Sequence, residues 1–259
     1  MNGKEDPILI VRNLKSAYGN QVILQNVSFE VSRGEILVIL GTSGCGKSTL
    51  LRHLIGLDAP VAGEVLIERK NIIHATDPER TALLRRIGVM YQSGALFGSM
   101  TLNENILLPV EEFTHLPPEA RQLLAWLKLT AVGLEKYADH LPSEISGGMQ
   151  KRAALARAMA LDPVILFLDE PSAGLDPVTS ADLDELILRL NQSLGITFVV
   201  VTHELSSIYA IATRVIMLDS SEKTIIAQGS PIELRDSSSD SRVRNFFMRN
   251  SKKRSEKSE

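Results

Sequence analysis

A glycine-rich segment that directly follows an apolar run limits the possible folds of this 259-residue chain more than any other feature. The run EILVIL (residues 35–40) predicts a buried strand, and GTSGCGKST after it matches G-x-x-x-x-G-K-[ST] and opens a helix. In such a loop, backbone N–H groups surround phosphates, the lysine contacts the β- and γ-phosphates, and the next hydroxyl ligates magnesium. The predicted nucleotide-binding residues are Gly41, Thr42, Ser43, Gly44, Cys45, Gly46, Lys47, Ser48 and Thr49.

Other short runs rich in β-branched residues predict a sheet around this loop. The downstream runs are GVMY (88–91), VILFL (164–168), TFVVV (197–201) and RVIML (214–218). They predict strands buried on both faces, and helical patterns between several of them indicate a parallel α/β sheet. Upstream, ILIVRNL (8–14) and VILQNVSFEV (22–31) flank the turn-like Tyr18-Gly19-Asn20 and predict an antiparallel layer.

The distribution of helical and strand patterns divides the chain. Residues 92–162 hold helical patterns such as PPEARQLLAWLKL and no comparable strand, so we predict a helical subdomain inserted into a core formed by 1–91 and 163–235. Residues 236–259 form a C-terminal extension whose end, SKKRSEKSE, is expected to be disordered. Within it, Val243, Phe246 and Phe247 have helical spacing and predict a short helix that docks on its own domain or on a partner subunit.

Composition excludes several classes of function. The net charge of -3 and the pI near 6.0 leave no basic excess for a nucleic-acid backbone. The single cysteine, Cys45, excludes an intramolecular disulfide, and no signal-peptide pattern is present, so we expect a cytosolic location. Since no apolar run approaches the roughly 20 residues of a membrane span, work at a membrane would require a separate anchor.

Polar residues follow three of the predicted parallel strands. The carboxyl ends of parallel strands meet at one edge, where ligands of open α/β sheets gather. There we expect Asp169 to hold magnesium, Glu170 to polarise the attacking water, and Gln92 to touch the metal or that water. His203 would reach the γ-phosphate, although a lone histidine after a strand is more often a packing residue.

The segment LPSEISGGMQKR (141–152) predicts a second phosphate-binding helix start. Ser146 supplies an N-cap hydroxyl, and Gly147 and Gly148 leave backbone N–H groups uncovered at the positive end of the helix dipole. Since the first loop already provides a complete cradle, this second one calls for a different explanation.

The order GTSGCGKST, YQ, SGGMQKRAALARA, VILFLDEPSAGLD and VTHE resembles the ATP-binding subunit of ABC transporters. The resemblance implies an α/β P-loop ATPase fold with an antiparallel β layer and a helical subdomain, which binds ATP and Mg²⁺. It implies a homodimer in which Ser146, Gly147 and Gly148 of one subunit face the P-loop of the other. It also implies that Tyr18 stacks on adenine and that Asp176 contacts the opposite subunit, although Gly174 departs from the family pattern there.

Several phrases are most similar to the ATPases of Mla/Mce-type lipid transport systems: YQSGALF, EFTHLPPEA with LKLTAVGL, LPSEISGGM and DSRVRNFF. This resemblance implies phospholipid cargo, a membrane permease, an MCE-domain partner and in some systems a STAS-domain subunit, with the chain at the cytoplasmic face of the inner membrane. Apolar residues after Gln92 lie where the family docks its permease, or they form the subdomain's own core.

Three other readings remain open. An ABC importer ATPase for a small polar solute would use the same chemistry with another permease. A soluble ABC protein of translation or DNA repair is disfavoured, because the chain has one P-loop, no zinc-type cysteines and no long coiled-coil insertion. A regulatory module without turnover would lack residues such as Glu170 and His203, which are present.

Cys45 within the P-loop has two interpretations. It is either a small filler or, because it lies near Lys47 and a helix start, an acidified and reactive thiol.

Overall fold

The structure is a computed structural model that describes the backbone of residues 6–255 and side chains as far as Met248. The strands of the described residues are β1 (Leu9–Tyr18), β2 (Gln21–Val31), β3 (Ile36–Gly41), β4 (Ala62–Ile67), β5 (Lys70–Asn71), β6 (Ile87–Met90), β7 (Ile165–Asp169), β8 (Thr197–Val201), β9 (Arg214–Asp219) and β10 (Thr224–Gly229).

The α-helices are α1 (Lys47–Leu54), α2 (Asp77–Leu84), α3 (Leu102–Phe113), α4 (Pro118–Ala131), α5 (Gly147–Ala158), α6 (Pro177–Leu194), α7 (Leu205–Ile211), α8 (Pro231–Ser237) and α9 (Ser241–Ser255). Single turns of 3₁₀ helix span Glu135–Tyr137 and Pro142–Glu144. None of the described helices combines the length and the apolar character that crossing a bilayer requires.

Two sheets form the core. The larger has the strand order β10-β9-β3-β8-β7-β6, with β10 antiparallel to β9 and the other neighbours parallel. The smaller, β2-β1-β4-β5, is antiparallel. The predicted parallel strands and the predicted N-terminal antiparallel pair are therefore confirmed, whereas β4, β5 and β10 were not predicted.

Strand β3 explains why the sheet is buried on both faces. Ile36, Val38 and Leu40 face one apolar core, which contains the helices of the inserted region. Leu37 and Ile39 face a second core, shared with α1 and the antiparallel sheet. Because successive side chains of a strand point to opposite faces, one continuous apolar run joins both cores and fixes the position of the loop that follows it.

Among the described residues, the segment 92–162 contains α3, α4, α5 and the two 3₁₀ turns, and no strand. Thr101 caps α3 by accepting a hydrogen bond from the backbone N–H of Glu104 (3.2 Å). Asn105 is fully buried and donates to the carbonyls of Phe97 (3.1 Å) and Thr101 (2.9 Å), which fixes the loop before α3.

The C-terminal helix α9 docks on its own domain. Val243 and Phe247 are buried in the helix-side core, and the Phe247 ring lies 6.0 Å from that of Tyr209. The predicted short apolar helix is therefore confirmed. The backbone is helical through Ser255, and residues 256–259 lie outside the described part of the chain; the expected disorder of the end of the extension stays a prediction.

Candidate nucleotide site

The glycine-rich loop leaves β3 in a conformation that only glycine permits. A Cβ on Gly41 would lie 2.4 Å from the carbonyl oxygen of Leu218 and 2.6 Å from Sγ of Cys45. Gly46 has φ of 99° immediately before α1. Lys47, the first residue of α1, donates through Nζ to the carbonyl of Gly41 (2.9 Å), so its ammonium group lies over the loop.

A cleft of about 1120 Å³ opens above this loop at the carboxyl ends of the parallel strands. The predicted site residues that line it are Gly41, Thr42, Ser43, Gly44, Gly46, Lys47, Ser48, Thr49, Gln92, Asp169, Glu170 and His203. Ile23, Val201, Glu204, Leu205 and Phe246 line it as well and were not predicted. The structure thus brings together the three strand-end motifs and the P-loop.

Glu170 and His203 are in direct contact within the cleft. Nδ1 of His203 lies 2.8 Å from Oε1 of Glu170, and the backbone N–H of Glu170 donates to the carbonyl of Val201 (2.8 Å). Glu170 has φ of 45°, a left-handed conformation that is uncommon for a residue with a side chain. Its Oε2 is buried without a hydrogen-bond partner. A buried carboxylate oxygen without a hydrogen-bond partner is uncommon in folded proteins and is consistent with a functional role for this residue.

Asp169 precedes Glu170 and ends β7. Burial raises the pKa of its carboxyl, the charge of Glu170 raises it further, and Lys47 lowers it. A cation bound beside Asp169 would offset the effects of burial and of the Glu170 charge and so favour its ionised carboxylate.

Helix α5 approaches the same cleft from the inserted region. Lys151, which is 8% exposed, donates through Nζ to the backbone carbonyl of Gln92. Sequence reasoning missed Lys151, because its contact joins residues 59 positions apart. The only available signal was its place one helical turn after Gly147 and Gly148.

Ser146, Gly147 and Gly148 lie apart from the cleft. Ser146 is exposed and caps α5 by accepting from the backbone N–H of Met149 (3.3 Å). A Cβ on Gly148 would lie 2.3 Å from the methyl group of Thr179 in α6. The structure therefore does not bring the second phosphate-binding motif to the P-loop of its own chain.

Asp176 is adjacent to that second motif. It caps α6 by accepting from the backbone N–H groups of Val178 (3.0 Å) and Thr179 (3.1 Å), and Thr179 also donates its hydroxyl to the same carboxylate. Thr179 thus contacts both Asp176 and Gly148 and joins the two motifs into one face, which we call the signature face (Ser146–Gly148 and Ala173–Asp176).

Two predicted residues are placed differently from the rest. Tyr18 ends β1 with 57% of its surface exposed and is not among the residues that line the cleft, whereas Ile23 of β2 is. The side chain of Cys45 is buried beneath the loop, and burial raises its pKa despite the neighbouring Lys47. The hypothesis of an acidified thiol is therefore wrong, and Cys45 fills the interior.

A sequence model described as ABC transporter matches residues 24–173, more than half of the chain. The chain belongs to the ABC transporter family. The match to this family contains the P-loop, Gln92, the signature face up to Ala173, and both carboxylates; His203 and α9 lie beyond it.

Curated relatives are similar over most of the chain. The intermembrane phospholipid transport system ATP-binding protein MlaF of Escherichia coli K12 is 42% identical over 92% of this chain and 87% of its own length. MlaF of Haemophilus influenzae is 39% identical over 93% and 90%. The probable ribonucleotide transport ATP-binding protein mkl of Mycobacterium leprae is 42% identical, but over 76% of this chain and 56% of its own length.

Solved structures of ABC proteins share the fold. The dimeric ATP-binding cassette MJ0796, in a post-hydrolysis state bound to ADP and Pi, has a TM-score of 0.77 at 33% identity, covering 86% of this chain and 98% of its own. CbiO1 of Clostridium perfringens, part of the transporter complex cbiONQ, has a TM-score of 0.83 at 28% identity, covering 97% and 100%. The expected P-loop ABC-ATPase fold is confirmed.

Proposed function

We propose that this chain is the ATP-binding and ATP-hydrolysing subunit of an ABC transporter that moves phospholipid through a membrane permease. The observation that carries the enzymatic part is the cleft in which Lys47, Asp169 and the Glu170–His203 pair meet. The similarity to MlaF over 92% of the chain supports the transport class.

The residues of the cleft fit a nucleotide-bound magnesium ion. The described residues contain no cluster of three or more histidine, cysteine or acidic side chains that could hold a metal alone. Magnesium requires no such cluster, because it commonly takes one or two protein oxygens together with waters and phosphate oxygens. Ser48, Gln92 and Asp169 supply oxygen ligands along one cleft. Burial and the charge of Glu170 raise the pKa of Asp169, and a cation there would stabilise its ionised form. When bound, magnesium would offset the charge that develops on the phosphates.

We assign the remaining steps to groups of this chain. Backbone N–H groups of the P-loop and the Lys47 ammonium bind the β- and γ-phosphates. The Glu170 carboxylate would orient and polarise the attacking water, and His203, whose Nδ1 contacts Oε1 of Glu170, would contact the γ-phosphate. Tyr18, which is exposed at the end of β1, is assigned to adenine stacking.

The separation of the signature face from the P-loop supports a site built from two chains. Ser146 and Gly147 are exposed at a helix start, where N–H groups favour an anion, yet they line no part of their own cleft. Two copies related by a two-fold axis would complete both sites, each signature face closing on the partner's γ-phosphate. The solved dimer of the related cassette MJ0796 supports the same arrangement.

Exposed apolar side chains around Gln92 are proposed to dock the permease. Tyr91, Phe97 and Phe113 are each more than a third exposed. The guanidinium groups of Arg157 and Arg85 lie 6.0 and 5.9 Å from the centres of the Phe97 and Phe113 rings and leave them accessible. Further proposed partners are an MCE-domain protein and a STAS-domain subunit. The working location would be the cytoplasmic face of the inner membrane, with the permease as anchor.

A second candidate cargo is a small polar solute. One relative is named for ribonucleotide transport, but this chain covers 56% of that relative and 87% of MlaF. Since cargo passes through the permease and not through the ATPase, the cleft does not discriminate between them.

The enzymatic proposal is tested with a pair of serine variants. Ser146→Arg should abolish ATP hydrolysis and leave ATP affinity within about two-fold of wild type, because the nucleotide binds first to the chain's own Lys47. Ser143→Arg is the control, because it adds the same charge to an exposed serine in the preceding 3₁₀ turn. Equal loss of binding and hydrolysis in Ser146→Arg, or full turnover by a strictly monomeric preparation, would refute the two-chain site.

The cargo is tested with the co-purified permease and MCE-domain protein in proteoliposomes. ATP hydrolysis that rises with phosphatidylethanolamine or phosphatidylglycerol, and is accompanied by movement of labelled lipid, would support phospholipid transport. Stimulation by ribonucleotides alone would favour the polar-solute reading, and co-purification with ribosomes or DNA would favour a soluble ABC protein.

A further inference from the structure

Helix α5 is tied to the loop that carries Gln92 by two cations. Lys151 donates to the carbonyl of Gln92, and Arg157 donates to the carbonyls of Gly94 (2.9 Å) and Ala95 (2.7 Å). A Cβ on Gly94 would lie 3.2 Å from the Cβ of Ala154, so the loop backbone packs directly on the helix. Three consecutive turns of α5 therefore hold one short loop.

The burial of Lys151 is costly unless its charge is used. A buried ammonium group loses its hydration, and this loss lowers the pKa of Lys151, while the negative charge of Glu170 acts in the opposite direction. The same ammonium group thus contacts the Gln92 carbonyl and lies within electrostatic reach of the carboxylate proposed to polarise water. A methionine or leucine would fill the space without the cost of desolvation.

We propose that Lys151 is a positioning residue that joins the two half-sites within one chain. Ser146 caps the helix that carries Lys151; Ser146 would face the partner's nucleotide, and Lys151 holds the Gln92 loop of its own cleft. Occupation of the partner's half-site would thereby place Gln92 and Glu170 correctly in this one. This inference rests on the proposed two-chain ATPase.

A purely structural role for Lys151 makes a different prediction. If the lysine only stabilised the fold, its loss would lower the melting temperature and leave the local mobility of the Gln92 loop and the turnover per folded molecule unchanged. If it positions the loop, the loop itself must loosen before any nucleotide is added.

The first test is therefore hydrogen exchange on the nucleotide-free chain. In Lys151→Met the peptide spanning residues 91–97 should exchange about ten-fold faster, as expected for loss of a hydrogen bond from a charged donor. The amide of Gly94, which donates to the Tyr91 carbonyl (2.7 Å), is the most direct probe. Arg152→Met is the matched control, because Arg152 is the next residue of α5 and, among the residues that the structure describes, pairs with Asp182 at 3.7 Å and not with the Gln92 loop.

The second test separates positioning from binding. Lys151→Met should retain ATP affinity within about two-fold and lose about ten-fold or more in kcat, while Lys151→Arg, which keeps the charge, should recover most of the turnover. If Lys151→Met does not fold, Lys151→Gln provides the same comparison with a smaller perturbation.

Unchanged exchange in a folded Lys151→Met protein, equal acceleration in Arg152→Met, or full turnover without the lysine would each overturn the inference. These failures are distinct from failure of the proposed function. If the proposed function failed, the wild-type chain itself would not hydrolyse ATP. The exchange experiment uses the nucleotide-free chain, so it would still show whether Lys151 holds the Gln92 loop.

Discussion

The buried carboxyl of Asp184 gives this protein a predictable dependence of stability on pH. Asp184 lies in α6 against α7, is 5% exposed, and has a pKa raised by burial to about 6. Ser207 of α7 faces it and lowers the pKa by less than burial raises it. The Ser207 hydroxyl makes no well-formed hydrogen bond, so its compensation is weak.

The sign follows from the proton balance between the folded and unfolded states. Between its ordinary pKa of 3.8 and about 6, Asp184 holds more protons in the folded state than in the unfolded state, so the free energy of unfolding falls as pH rises through this window. Each unit of pKa difference corresponds to about 1.36 kcal/mol, so ionised Asp184 destabilises the fold by about 3 kcal/mol above pH 6. Replacing Asp184 with asparagine removes this contribution.

The assay is denaturant unfolding at several pH values from 4 to 8. We expect Asp184→Asn to gain about 2.5 kcal/mol relative to wild type between pH 4 and pH 8, most of it between pH 4 and 6. Asp182→Asn, on an exposed carboxylate of the same helix, is the control and should follow the wild-type curve. Parallel curves for wild type and Asp184→Asn across the whole range would refute the reasoning.

Three further predictions concern packing and reactivity. Gly88→Ala should destabilise the fold by about 2 kcal/mol or more in denaturant unfolding, because its Cβ would lie 2.1 Å from the carbonyl oxygen of Ala158. Gly98→Ala is the control and should be tolerated, because a Cβ there meets nothing within 4 Å. Cys45 should react with a thiol reagent at pH 8 about 100-fold more slowly in the folded than in the unfolded protein, because the thiol is buried and its pKa is raised. Rapid labelling of the folded chain would contradict this prediction. Phe247→Ala should cost about 3 kcal/mol or more by thermal or denaturant unfolding, and an unchanged stability would show that α9 contributes nothing to the core.

The parts of the fold that sequence reasoning recovered depend on local pattern. Strands β3, β6, β7, β8 and β9 are short runs buried on both faces, so their apolar character is uninterrupted and visible without knowledge of their neighbours. Strand β10 is different, because its residues are only half-buried and it pairs antiparallel at the edge of the sheet. Its apolar signal is correspondingly weak, and it becomes recognisable only once β9 is known.

The same distinction applies to the cleft. The P-loop and the acids after β7 are contiguous motifs, so their spacing is readable directly. Phe246 lines the cleft and Lys151 holds the Gln92 loop through contacts with distant segments, and the one local signal for either was that Lys151 lies one helical turn after Gly147 and Gly148. The spacing of Phe246 with Val243 and Phe247 indicated only that α9 would dock, not that it would border the cleft.

If the nucleotide site is divided between two chains as proposed, helix α5 would allow its two halves to act together. Its 12 residues rise about 18 Å, and its carbonyl at Ala158 lies against Gly88 of β6, where no side chain other than hydrogen fits. The helix therefore begins at the signature face and ends on the central sheet with no break between. Lys151 and Arg157 hold the Gln92 loop to this same helix. A displacement at Ser146 would therefore be transmitted to the loop through continuous helical backbone. A hinge between the signature face and Gln92 would let each half-site close independently. The polar contacts that Lys151 and Arg157 make along α5 argue against such a hinge.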